Sequence, residues 1–221
     1  MMPRIMFSSI VRLAVIMGAA FLLFACATTP FDYTAFRQSR PRSILVMPPV
    51  NQTPDVGAAA TFLATSTRPL AESGYYVIPV SLSDGMFKQN GITVAEEAHA
   101  IEFFRLREIF GADAALYITV TRYGAIYQVI NSKVEAEALA RLVDLRTGQE
   151  IWHGRIRAEE NTNTGSNNLL VTLISAAVSQ VVNTLSDRSY DVGRSANYQL
   201  LSAGRTNGIL YGPYHPKYGT D

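Results

Sequence analysis

Ser43-Ile-Leu-Val-Met47 is an unbroken apolar run closed by Pro48-Pro49, the pattern of a short buried strand. Asn51 to Asp55 reads as a loop. Val56 to Ser73 is rich in Ala and Leu and predicts a helix stopping at Gly74, with a kink or break near Arg68 because Pro69 falls inside it. Tyr75 to Val80 is apolar again, so strand, helix and strand form a βαβ unit, whose crossover is expected to be right-handed. Thr93-Val-Ala-Glu96 has the spacing of a capping box and opens an apolar-rich stretch ending at Phe110-Gly111. It predicts one helix over 94–110, apolar most of the way round and covered on more than one side.

From Ala114 the period changes to two. Leu116, Ile118 and Val120 share one face of a strand, and Tyr117, Thr119 and Thr121 the other; Gly124 is a place for a bend or bulge. Lys133 to Leu145 has helix-forming composition, yet Val134, Ala136, Ala138, Ala140 and Leu142 alternate with Lys133, Glu135, Glu137 and Arg141. Arg146-Thr-Gly148-Gln supplies a turn. Trp152, Gly154, Ile156 and Ala158 then alternate with His153, Arg155 and Arg157, so we read a three-strand antiparallel meander rather than a helix.

Asn161 to Ser186 carries no charge, but Thr172, Ser175, Ser179, Asn183 and Ser186 recur at three- and four-residue steps opposite Leu170, Ile174, Ala177, Val181 and Leu185. That is an amphipathic helix lying on a sheet, not a membrane span. Asn197 to Asp221 is rich in Gly, Pro and Tyr and excludes regular structure. Its tyrosines carry apolar area with polar ends, suited to a strap on the domain or to an arm that holds a partner.

The N-terminus sets the compartment. Arg4 and Arg12 precede an uncharged run from Leu13 to Phe24, too short for a typical spanning helix and apt for a secretory signal. It ends at Leu23-Phe24-Ala25-Cys26, which resembles the bacterial lipobox, and Cys26 is the only cysteine. Lipidation at Cys26 with cleavage before it is expected, and two or more acyl chains anchor stably. Ala27, by resemblance to the lipoprotein sorting rule, implies the outer membrane of a Gram-negative envelope, periplasmic side. The whole chain has 19 Lys+Arg against 18 Asp+Glu, a balance that argues against nucleic acid as a partner.

Candidate chemistry is sparse. His99, His153 and His215 lie on separate segments without metal-ligand spacing. His99 and Glu102 read as a surface pair, and His153 as exposed on its strand. Gly165-Ser166-Asn167 precedes a helix and reads as a cap. Glu96/Glu97, Glu135/Glu137 and Glu159/Glu160 are acidic pairs; Glu135 and Glu137 share a strand face with Lys133 and read as a solvated, mixed-charge surface. No hydrolase, nucleotide-binding or metalloprotease motif occurs.

The run Ile44 to Asn51, the junction Gly111-Ala-Asp-Ala-Ala-Leu-Tyr117, the turn Val143-Asp-Leu-Arg-Thr-Gly-Gln-Glu-Ile-Trp152 and the tail Tyr211-Gly-Pro-Tyr-His-Pro-Lys-Tyr218 resemble a family of bacterial lipoproteins of unknown function. Those proteins are similar to the N-terminal α/β domain of the Tol-system propeller protein (TolB), to curli-secretion-channel (CsgG-like) lipoproteins and to lipoprotein activators of penicillin-binding proteins. The resemblance implies an α/β fold with a mixed sheet in two or three layers: a TolB N-terminal-like βαβ unit, a helix, the meander and a C-terminal helix. It implies a non-enzymatic, outer-membrane-anchored module of a secretion or envelope-assembly system. Its partners would be envelope proteins, including a curli-type channel lipoprotein, or a second copy in a homodimer. No catalytic residue, cofactor or metal ligand is assigned. An activator of peptidoglycan synthases and an envelope hydrolase are the alternatives. The expected organisation is a signal peptide over 1–25, a lipidated tether over 26–42, an α/β domain over 43–196 and an extension over 197–221, with Tyr211, Tyr214, His215 and Tyr218 as the interaction surface.

Overall fold

The computed structural model describes residues 31–127, 132–161 and 178–221. In chain order the elements are α1 (Thr34–Ser39), β1 (Ser43–Val46), β2 (Val50–Asn51), α2 (Gly57–Glu72), β3 (Tyr76–Val77), α3 (Val80–Gln89), α4 (Ala95–His99), α5 (Phe103–Phe110), β4 (Ala114–Tyr127), β5 (Ser132–Asp144), β6 (Glu150–Asn161) and α6 (Val178–Leu201). The fold is mixed α/β around a six-stranded sheet in the order β3-β1-β4-β5-β6, with β2 also on β4. β1 pairs in parallel with β3 and β4, and β2 in parallel with β4, while β4, β5 and β6 form the antiparallel meander that the alternation predicts. Pro48-Pro49 separates β1 from β2. The prolines have no N–H to give, and the pairing with β4 resumes at Val50 and Asn51, opposite Thr119 and Val120.

The two faces of the sheet are covered differently. Leu116, Ile118 and Val120 of β4 and the even residues of β5 pack under α2 and α6. Phe62 packs there against Tyr123, whose hydroxyl is 2.9 Å from Thr61 Oγ1. On the other face, Leu45, Met47, Ala115, Tyr117 and Val143 form a second core with Phe87, Ala98 and Leu106 from α3, α4 and α5. The β1–β4 half is therefore three layers thick. Across the odd positions of β5 and β6, exposed Leu139, Arg155 and Arg157 mark a face without a covering helix among the described residues.

Several expectations are corrected. Residues 34–39, assigned to a tether, form a docked helix with Phe36 and Ser39 buried. Pro69 does not break α2; it lies in the last turns, where its missing N–H removes a single bond, and its carbonyl accepts from both Ser73 N–H and Ser73 Oγ. The strand expected to Val80 shrinks to two residues, because Pro79 caps the unanticipated α3. The helix expected over 94–110 is two short ones, divided where Glu102 is extended at ψ 139°. Val94 caps the first without a side-chain bond, so the capping box does not form. Phe104 and Ile109 are 56% and 54% exposed, so this stretch is covered on one side only. Gly124 does take a bent backbone, with φ +107°, but pairing runs through it and the register shift falls between Val120 and Arg122. Residues 162–177 of the charge-free stretch, with Gly165 to Asn167, lie outside the described residues. From Val178 a helix continues to Leu201, past the expected boundary at 196, because Asn197 is buried and its Nδ2 donates to Phe62 O and Thr65 Oγ1 at 2.8 Å. Among the described residues no helix is long and apolar enough to cross a membrane.

Candidate interaction surfaces

The uncovered sheet face is built by a bulge. Val120 pairs with Ala138 and Arg122 with Glu137, so Thr121 is extra and Arg122 falls on the face of the odd β5 residues. There Glu135 and Glu137 are 3% and 5% exposed, which overturns the solvated surface expected for them. Buried carboxylates need charged partners, and the neighbouring strands supply them. Arg122 reaches Glu135 at 3.3 Å and Glu137 at 3.4 Å, Arg155 holds Glu137 at 2.5 Å, and Arg157 and Lys133 each lie 3.4 Å from Glu135. Arg157 and Lys133 also pair with Glu159. Arg141 lies 4.3 Å above the Tyr117 ring. The long side chains cover the carboxylates and keep their own heads wet: Arg155 is 65% exposed. Five cations thus face three carboxylates around exposed Leu139. The signal for this face was in the sequence: Glu-x-Glu on one strand of a hairpin and Arg-x-Arg on the next share a face.

A second surface forms where α1 meets the tail. Ser39 Oγ donates to Asp144 Oδ2 at 2.5 Å, and Arg146 grips both oxygens of the same carboxylate at 2.6 and 3.2 Å while also donating to Ser39 O. Burial alone would raise the Asp144 pKa; the bonds from Arg146 and Ser39 outweigh it and lower it to about 2. A depressed carboxylate stabilises the fold above its unfolded pKa of ~3.9 and loses that contribution as pH falls toward 2. Asp144→Asn is therefore expected to cost about 2 kcal/mol at neutral pH and to flatten the acid limb of the stability curve below roughly pH 4. Urea melts of both proteins across that range check it; parallel curves would refute the pairing.

The tail is strapped to its own domain. Tyr33 Oη donates to Gly208 O, Trp152 Nε1 to Asn207 O, Tyr75 Oη to Leu210 O and Gly212 N–H to Ser73 O. Burial first, and then the Asp221 charge, push the Tyr75 pKa well up, so its hydroxyl stays a donor. Ile209 and Leu210 are buried. From Ser202 on the tail has no helix or strand, as its composition predicts. A cleft of about 330 Å³ remains between it and α1, with Phe36, Arg37, Arg40, Tyr75, Tyr211 and Tyr218 on its walls. Of the four residues expected to interact, Tyr211 and Tyr218 line this cleft. His215 stacks on Tyr211 at 4.2 Å and accepts the Lys217 N–H, and Tyr214 is 67% exposed.

The other histidines sit apart. His99 pairs with Pro48 O at 2.8 Å rather than with Glu102, edge-on to Tyr117, and burial lowers its pKa. His153 is exposed beside Glu150. Among the described residues no group of three His, Cys, Asp or Glu could hold a metal ion. Cys26 lies outside the described residues.

A family model described as "Putative lipoprotein GNA1162-like" matches residues 31–214. A protein of Neisseria meningitidis serogroup B, named "Putative lipoprotein NMB1124/NMB1162", is 47% identical over 200 residues, 89% of this chain and 93% of that one. The crystal structure of lipoprotein GNA1162 from Neisseria meningitidis superposes with a TM-score of 0.54 at 48% identity, covering 65% of this chain and 99% of that one. The LpoB C-terminal domain of Escherichia coli gives a TM-score of 0.36 at 20% identity over 53% of this chain and 83% of that one, a likeness too slight to carry an argument.

Proposed function

Because the chain belongs to the GNA1162-like lipoprotein family, we propose that it is a non-catalytic module, lipid-anchored through Cys26 to the periplasmic side of the outer membrane. In this reading it serves a secretion or envelope-assembly system, in the manner expected of Tol-like and curli-type lipoprotein domains. One observation supports a recognition role above the rest. Guanidinium groups on β4 and β6 are held in place by buried Glu135 and Glu137, yet their outer N–H groups face solvent around Leu139. Arginines fixed in this way lose little freedom on binding and suit carboxylates of an acidic protein segment. The test is photo-crosslinking in the native envelope. A photoreactive residue at position 139 is expected to give a discrete protein adduct that weakens with Arg155→Gln, while one at Val56, 92% exposed on the loop before α2, gives none. Equal labelling from both positions would remove the sheet face from the proposal. Cys26→Ser is expected to block acylation and cleavage before residue 26, so that intact mass finds the unmodified chain with its signal peptide; labelled palmitate on the Cys26→Ser protein would refute this site.

A further inference from the structure

We propose that the α1–tail cleft docks on the anionic lipid headgroups of the membrane that carries the anchor; this rests on acylation of Cys26. The first ground is reach. Docking of α1 leaves only six residues between Cys26 and Tyr33, so the chain can span no more than ~25 Å from the acylated cysteine to the domain. Tyr33 is bonded to Gly208, which makes the tail the neighbour of the point where the chain enters the domain.

The second ground is charge. Arg37, Arg40 and Lys217 are exposed, and none forms an ion pair with a described side chain. Arg68, Lys88, Arg105, Arg155 and Arg194 are matched to carboxylates, while exposed Arg42 and Arg205 share the lack of an ion pair with a described side chain. Arg37 donates to the Asp221 main-chain oxygen, Arg40 folds back on Arg37 O, and Lys217 sits 5.9 Å over the Tyr211 ring. The one carboxylate lining the cleft, Asp221, accepts the Tyr211 N–H. Arg37 and Arg40 thus stand on the cleft wall with the engaged Asp221, and Lys217 lies beside them over the Tyr211 ring. The third ground is the aromatic rim. Tyr214 and Tyr218 are 67% and 46% exposed, and tyrosine is enriched where an apolar ring meets a wet headgroup layer. Guanidinium forks match phosphate oxygens in two-point contact, and lysine adds a point charge.

The acylated full-length mature protein is placed in vesicles of phosphatidylethanolamine, alone or mixed with phosphatidylglycerol, and amide exchange of residues 33–42 and 209–220 is followed. Exchange is expected to slow at least tenfold only where phosphatidylglycerol is present, and high salt should reverse it. Arg37→Gln/Arg40→Gln/Lys217→Gln is expected to abolish the slowing, since each cation near such a surface contributes roughly fivefold, while melting stays unchanged because all three side chains are exposed. Equal exchange in both vesicles, or a triple variant slowed like the parent, overturns the docking. Intact mass reads the anchor separately: a protein without acyl chains overturns the premise, whereas an acylated protein with indifferent exchange overturns only the dock.

Discussion

Replacing Trp152 by alanine will destabilise the domain by about 4 kcal/mol, the scale for truncating a fully buried large aromatic. Trp152 is 1% exposed and stands on the helix-covered face of β6. Gly154, two residues along the same face, makes room for it: a β-carbon there would fall 2.5 Å from the indole and 3.1 Å from Leu200 of α6. The ring is thus wedged between strand and helix while its Nε1 donates to Asn207 O at 3.1 Å. One side chain joins sheet, last helix and tail, and alanine would leave a cavity touching all three. Trp152→Phe, which keeps most of the volume and drops the hydrogen bond, is expected to cost about 1–2 kcal/mol. Chemical denaturation of the two variants checks the pair. A loss below 1 kcal/mol for Trp152→Ala would mean that the wedge is not where the stability lies.

Gly212→Val should release the tail. At Gly212 a β-carbon would collide with the main-chain carbonyl of Gly74, and at Gly74, whose φ is +91°, with His215 N and Cβ. Two backbones lie against each other here, joined by Gly212 N–H on Ser73 O and Tyr214 N–H on Gly74 O. Backbone cannot step aside as a flexible side chain can, so valine must force the strands of chain apart. Burial of Ile209 and Leu210 goes with them, about 2 kcal/mol each, and some hydrogen bonds at about 1 kcal/mol apiece. The expected result is a loss of about 4 kcal/mol or detachment of the tail alone, whichever costs less. Amide exchange distinguishes them: fast exchange over 205–221 with a protected β4–β6 meander is detachment. A variant that melts and exchanges like the parent would refute the close approach.

Alternation carried the meander because a period of two needs nothing beyond the strand itself: Val134, Ala136, Ala138, Ala140 and Leu142 share one face whatever surrounds them. The same rule misplaced Glu135 and Glu137. Alternation assigns a face, but whether that face is wet depends on Arg122, Arg155 and Arg157 arriving from neighbouring strands, one of them through a bulge with no marker in sequence. α1 was hidden for a related reason. Six residues with little apolar pattern become a helix because Ser39 finds Asp144 and Arg146, 105 and 107 positions away. In 94–110 the apolar content was real but divided between two short helices whose outer sides stay exposed. The tail was legible in composition, and its tyrosines do cluster. That α1 would complete the cleft was not legible, since the meeting is purely tertiary.

Tyr33 and Gly208 are 175 positions apart, and Arg37 and Asp221 are 184. For an exported chain delivered from its N-terminus, this sets an order of events. The first helix of the domain is delivered long before residues 205–221, its distant partners. Until they arrive α1 has Asp144 and Arg146 but no tail to close against, and Trp152 lacks its last acceptor. The domain is finished only when its last residues reach its first helix.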